Sequence, residues 1–138
     1  MTTRREPPVS DESTAFWDAT REQRFVLPWC VECETAIWYP RLVCPRCLGS
    51  AIEWREASGV ATVYACSIHW QPGNGRVADD GPYVVALVDL AEGVRMMSNV
   101  IGCEPTEVAV GMRVLLAWEP LSDGRHLPVF RPDPHGAA

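Results

Sequence analysis

From residue 59 to residue 131 apolar and polar positions change over in short runs, each closed by a turn signal. Gly59–Trp70 sets Val60, Tyr64, Cys66, Ile68 and Trp70 against Ala61, Val63, Ala65, Ser67 and His69. This predicts a strand with one bulky face and one face of small residues, the latter open to a ligand or another chain. Tyr83–Leu90 is almost wholly apolar and reads as a central strand. Glu92-Gly93 reverses the chain into Val94–Ile101, Met112–Trp118 gives a fourth strand, and Asp123-Gly124 turns into a fifth at His126–Phe130. Five short strands within about 75 residues predict a small Greek-key barrel of the OB type, whose closure removes exposed edges. Ahead of it, Ser10 followed by Asp11 and Glu12 marks a helix start, and a helix of about three to four turns is expected up to residue 25. Phe16, Trp17 and Thr20 share one side of that helix. This side has two available destinations, the chain's own core or a partner.

Residues 26 to 57 carry four of the six cysteines, as Cys30-Val-Glu-Cys33, ten intervening residues, and Cys44-Pro-Arg-Cys47. Two residues between paired cysteines let each pair turn back as a knuckle, and two knuckles complete a tetrahedron of thiolates around one Zn²⁺. Disulfides are the competing reading and suit an oxidising compartment. A redox-active pair expects a single CxxC at a strand-to-helix turn. Iron takes the same four ligands, so the spacing leaves the metal open between the two. Four thiolates leave no position for water, which makes the centre structural. Glu34 and Leu48 stand where knuckles often use glycine to adopt a left-handed backbone, and Gly49 comes one residue late. The expected organisation is a tail and helix over 1–25, a zinc ribbon over 26–57, an OB-fold over 58–131 and a tail over 132–138.

The chain has 138 residues, too few for a large self-contained active site. Eighteen acids stand against twelve bases, all of them Arg, for a formal net charge of −6. Zinc ribbons and OB-folds both occur in nucleic-acid binding, which makes that the alternative class. Charge opposes it: residues 1–57 hold seven Arg against nine acids, and residues 58–138 five against nine. No apolar run is long enough to span a bilayer and the first residues are polar, so a cytoplasmic protein without membrane contact is expected.

Several fragments, in their order, resemble the DUF35 family. They are Phe16-Trp17-Asp18-Ala19-Thr20, the four cysteines with Trp38-Tyr39-Pro40-Arg41 between them, Glu56-Ala57-Ser58-Gly59, His69 with Pro72, Pro82–Val88, Glu92-Gly93-Val94-Arg95, and Phe130-Arg131-Pro132. The resemblance covers nearly the whole chain and implies a rubredoxin-like zinc ribbon and a C-terminal OB-fold behind an N-terminal helix. It further implies a supporting, non-catalytic role in acyl-CoA chemistry, including steroid side-chain or lipid metabolism. The chain would then be a subunit of a hetero-oligomer with a thiolase-like condensing or retro-aldol enzyme, or with a MaoC-type hydratase, and would help to seat the CoA ester. The family offers no catalytic residues to carry over.

Outside the cysteine cluster the candidate contact residues are His69, Trp70, Arg76 and Trp17. His69 sits at a strand end beside the long loop 71–82, but the sequence places no nucleophile with an orienting acid near it, so a contact role is expected rather than catalysis. Arg76 is the loop's only cation and has the fork geometry for a CoA phosphate. Cys66 is expected to be a buried core thiol, and Cys103 lacks a neighbouring His or Lys to activate it. Six Trp exceed what so small a core is expected to need, which points to an interface.

Overall fold

The computed structural model describes residues 6–70 and 81–135. The segment 71–80, with Arg76, lies outside them. Asp11–Ser13 form a 3-10 turn, and α1 runs over Thr14–Arg21. Ser10 donates its N–H to Ser13 Oγ at 3.0 Å and closes the first turn. The helix ends earlier than the sequence predicts. Gln23 takes a left-handed backbone, φ 56°, and the N–H groups of Gln23 and Arg24 fold back onto the carbonyls of Thr20 and Ala19. The chain is thereby released into its first strand. Phe16, Trp17 and Thr20 are buried, so the helix packs on its own domain. The Phe16 ring lies 6.4 Å from that of Phe25 and 5.2 Å from that of Trp38.

The ribbon is a three-stranded sheet of β1 (Val26–Cys30), β2 (Thr35–Ala36) and β3 (Ile52–Glu56), with β1 central. β1 and β3 run antiparallel from Val26↔Glu56 to Cys30↔Ile52. The barrel follows as β4 (Val60–His69), β5 (Tyr83–Leu90), β6 (Arg95–Val100), β7 (Arg113–Pro120) and β8 (His126–Pro132). It closes in the order β4-β5-β6-β8-β7, the OB arrangement expected, with a parallel contact at Val100↔Phe130 and antiparallel pairing elsewhere. One core joins all three parts: Phe16 from the helix, Phe25 and Leu27 from the ribbon side, and Val63, Val88, Val114 and Phe130 from the barrel. Among the described residues no helix is long and apolar enough to cross a membrane.

Two expectations fail in β4 and among the tryptophans. The small face of β4 is the inward one at its start, where Ala61 and Val63 are buried. The register against β5 then slips between Val63 and Ala65, a bulge at Tyr64 that puts Cys66 opposite Ala86. By that point β4 has run past the start of β7, whose last rung with it is Thr62↔Arg113, so nothing covers the thiol. Cys66 is exposed rather than buried. The surplus of Trp is mostly absorbed inside: Trp17 is buried, and Trp38, Trp54 and Trp118 pack against the core. Trp70 is the exposed one.

Candidate metal centre and apolar cavity

The four expected ligands converge. Their Sγ atoms all lie within 4.8 Å of one another, with Cys30 and Cys44 buried, Cys33 half-buried and Cys47 exposed. Cys30 to Cys47 is 3.7 Å and Cys33 to Cys44 is 3.9 Å. Disulfide sulfurs stand about 2.05 Å apart, so these are thiols. A tetrahedron with metal–sulfur bonds of about 2.3 Å has edges of about 3.8 Å, which the observed separations match. Backbone geometry holds the knuckles in this form. The N–H groups of Cys33, Arg46 and Gly49 point at the sulfurs of Cys30, Cys44 and Cys47, each at 3.4 Å. Glu34 and Leu48 adopt φ of 54° and 63°, the left-handed positions expected to favour glycine.

The electrostatics agree with a cation site. The Cys47 N–H draws the Cys44 thiol down to about 7, with burial opposing and the Arg46 N–H assisting. Hydrogen bonding to Cys47, then burial and the other two sulfurs, push the Cys33 thiol up to about 12. Four thiols this close ionise together only around a cation. The set fits a tetrahedral, thiophilic ion and fills its coordination sphere, so the residues form a structural metal site.

The other candidates lie elsewhere. Trp17 is under the guanidinium of Arg125, 4.7 Å from the ring centroid. His69 is half-buried at the end of β4 and stacks on Tyr83, with centroids 5.0 Å apart and planes at 18°. Among the described residues it has no acid or nucleophile as a hydrogen-bond partner. Trp70 is 61% exposed. Cys103 is half-buried, and its thiol is raised by burial and by Glu107 and Glu104, the opposite of an activated nucleophile.

Sequence reasoning missed a cavity of about 570 Å³ whose lining comes from well-separated segments. Pro7 and Ser10 contribute from the N-terminal segment, Trp17 from α1, Trp38 and Tyr39 from the ribbon, Tyr83 from β5, Met96 and Met97 from β6, and Leu127 from β8. The N-terminal segment is tied down over it. Glu6 accepts from both the N–H and the hydroxyl of Ser122 at 2.8 Å, and Arg125 donates to the Pro7 carbonyl at 2.9 Å. The one available sequence signal was Trp38-Tyr39, whose rings sit 5.3 Å apart on the cavity wall.

Comparison with known proteins agrees with this architecture. Residues 17–53 match the family model described as ChsH2, rubredoxin-like zinc ribbon domain, and residues 54–119 that described as ChsH2, C-terminal OB-fold domain. A probable enoyl-CoA hydratase alpha subunit of Thermomonospora curvata is 37% identical over 128 residues, covering 91% of this chain and 39% of that protein. The 3-oxo-4,17-pregnadiene-20-carboxyl-CoA hydratase alpha subunit of Mycobacterium tuberculosis is 30% identical over 132 residues, covering 83% of this chain and 39% of that one. The chain thus spans about two fifths of the length of these two relatives. Among solved structures, a chain of the Ltp2-ChsH2(DUF35) aldolase superposes with a TM-score of 0.80 at 34% identity, covering 92% of this chain and 98% of that one. With both halves matched in order and the four-cysteine centre intact, the chain belongs to the DUF35 family, in its ChsH2 form of a rubredoxin-like zinc ribbon followed by an OB-fold.

Proposed function

We propose that this chain is a non-catalytic accessory subunit that assembles with an acyl-CoA enzyme, of the thiolase-like aldolase or the MaoC-type hydratase kind, in lipid or steroid side-chain metabolism. The observation that carries the reading is the match over nearly the full length of the DUF35 chain of Ltp2-ChsH2 aldolase. The two hydratase alpha subunits point to the same acyl-CoA chemistry. The site supports it from the other side: the metal is saturated by protein sulfur, and no paired acid, base and nucleophile stand together among the described residues. Zn²⁺ is the ion proposed for Cys30, Cys33, Cys44 and Cys47, where it would hold the knuckles together and take no part in the reaction. Trp70, His69 and the segment 71–82 with Arg76 are the proposed contacts to the partner or its CoA ester. Nucleic acid is disfavoured as a partner by the net charge of −6 and by the absence of Lys. The hetero-oligomer is placed in the cytoplasm.

The test is co-expression with a thiolase-like or MaoC-type enzyme from the same genome, followed by co-purification and assay of acyl-CoA turnover. A stable complex whose activity needs both chains is expected. Turnover by this chain alone, or full activity of the enzyme without it, overturns the proposal.

A further inference from the structure

We infer that the cavity of about 570 Å³ is a binding site for the broad, uncharged end of an acyl group, a fused-ring hydrocarbon carrying a few oxygen functions, and not for the nucleotide end of its carrier. The inference deepens the proposed role in acyl-CoA chemistry and rests on it. Three features select this class of ligand. No charged side chain occurs among the described lining residues, so a diphosphate placed here would lose its hydration with no countercharge to replace it. The walls are aromatic and thioether surface, Trp17, Trp38, Tyr39 and Tyr83 with Met96 and Met97, which offers large flat contact area and an adaptable floor. The volume falls in the range of roughly 300–1,000 Å³ that holds multi-ring small molecules, whereas a single alkyl chain would leave much of the wall without contacts.

The neutral polar groups suit such a ligand as well. Ser98 Oγ donates to the Pro128 carbonyl at 2.9 Å and keeps its lone pairs for a ligand hydroxyl. The Tyr39 side chain, 56% exposed at the rim, brings a phenol that can donate to a ketone oxygen. Behind the wall His69 stacks on Tyr83 and holds its ring in place.

Isothermal titration of the full-length chain alone, with intrinsic Trp fluorescence as a second readout, tests this without any partner enzyme. The probes are androst-4-ene-3,17-dione, 2-undecanone and coenzyme A. The steroid is expected to bind at least about tenfold tighter than the linear ketone and not to be displaced by coenzyme A. Met97→Trp, at a rim position that is 58% exposed and so tolerant of a larger side chain, should weaken it at least about tenfold by filling the mouth. Val110→Ser, outside the lining, should leave it unchanged. Equal binding of the linear ketone, displacement by coenzyme A, indifference to Met97→Trp, or no binding of the steroid each overturns the inference. Because none of these readouts involves complex formation, such a failure is separable from failure of the accessory role, which co-purification decides.

Discussion

The Arg125 guanidinium is laid over the Trp17 ring at 4.7 Å and is 4% exposed, although it stands one residue after the Asp123-Gly124 turn. It donates to Asp123 at 2.8 Å and to the Pro7 carbonyl at 2.9 Å, so one side chain ties the β7–β8 hairpin to α1 and to the N-terminal segment over the cavity. Arg125→Met keeps much of the apolar stem but abandons the Pro7 carbonyl and the Asp123 carboxylate. A loss of about 2–3 kcal/mol is expected from the charge-assisted hydrogen bonds and the cation–π contact together. Arg125→Lys should recover only part of it, because an ammonium cannot fork to both acceptors. Urea unfolding of the three proteins checks the order.

Asp123 supplies a pH signature of the same cluster. Partial burial raises its carboxyl, but the Arg125 N–H and guanidinium, with Arg21 beyond, outweigh that and hold it below its ordinary value of 3.8. A carboxyl depressed in the folded state contributes stability that is fully present above the unfolded value and is lost as pH falls through the folded one. Stability should therefore decline on acidification below about pH 4, and Asp123→Asn should flatten that part of the profile while lowering the plateau at neutral pH. Melting temperature followed from pH 7 to pH 3 for both proteins is the measurement. An unchanged acid limb in Asp123→Asn contradicts the assignment.

The second knuckle carries removable strain. Leu48 holds φ at 63° because its N–H must reach the Cys44 carbonyl at 2.8 Å, and its side chain is 76% exposed, so little burial compensates for the left-handed backbone. Leu48→Gly should relieve roughly 1–2 kcal/mol of backbone strain. Glycine's greater freedom in the unfolded chain takes back part of that, which leaves a net gain of about 0.5–1 kcal/mol. Thermal melts at fixed metal content should move upward, and a fall in melting temperature would mean that the exposed leucine stabilises the knuckle in some other way.

The barrel was readable because each of its strands is a short apolar run stopped by a turn pair such as Glu92-Gly93 or Asp123-Gly124, and the metal ligands were readable because knuckle spacing is a chemical requirement. The ribbon strands were hidden: β1 contains Pro28, which argues against a central strand, and β2 is two residues long. Burial of Cys66 was misjudged because a bulge at Tyr64 and the parting of β4 from β7 are tertiary events with no local mark in an alternating sequence. The helix was overextended because the left-handed stop falls on Gln23 rather than on a glycine. The cavity was out of reach altogether. Its walls come from the N-terminal segment, the helix, the ribbon and three strands, and only their packing brings Pro7, Trp38 and Met96 together.

Metal dependence separates the four cysteines of the centre from the other two. Cys44 is fully buried, its Sγ accepts the Arg46 N–H at 3.4 Å, and it lies 3.9 Å from Cys33 Sγ. Serine at this place offers a shorter, harder and far less acidic donor, so the cation loses one of four bonds from a site with no water position to substitute for it. Binding in small zinc units contributes roughly 10 kcal/mol or more to folding, and a large part of that should disappear in Cys44→Ser. The damage should not stay local, because Phe25 and Leu27 of the ribbon side pack into the same core as Val88 and Phe130 of the barrel. Plasma emission analysis should find one zinc per chain in the unaltered protein and much less in Cys44→Ser, which should also melt earlier. Cys66→Ser, exposed on β4, and Cys103→Ser, half-buried beyond Gly102, should keep the full metal content and melt near the unaltered protein. Purified protein without zinc, or Cys44→Ser with undiminished zinc, would remove the centre from these four residues.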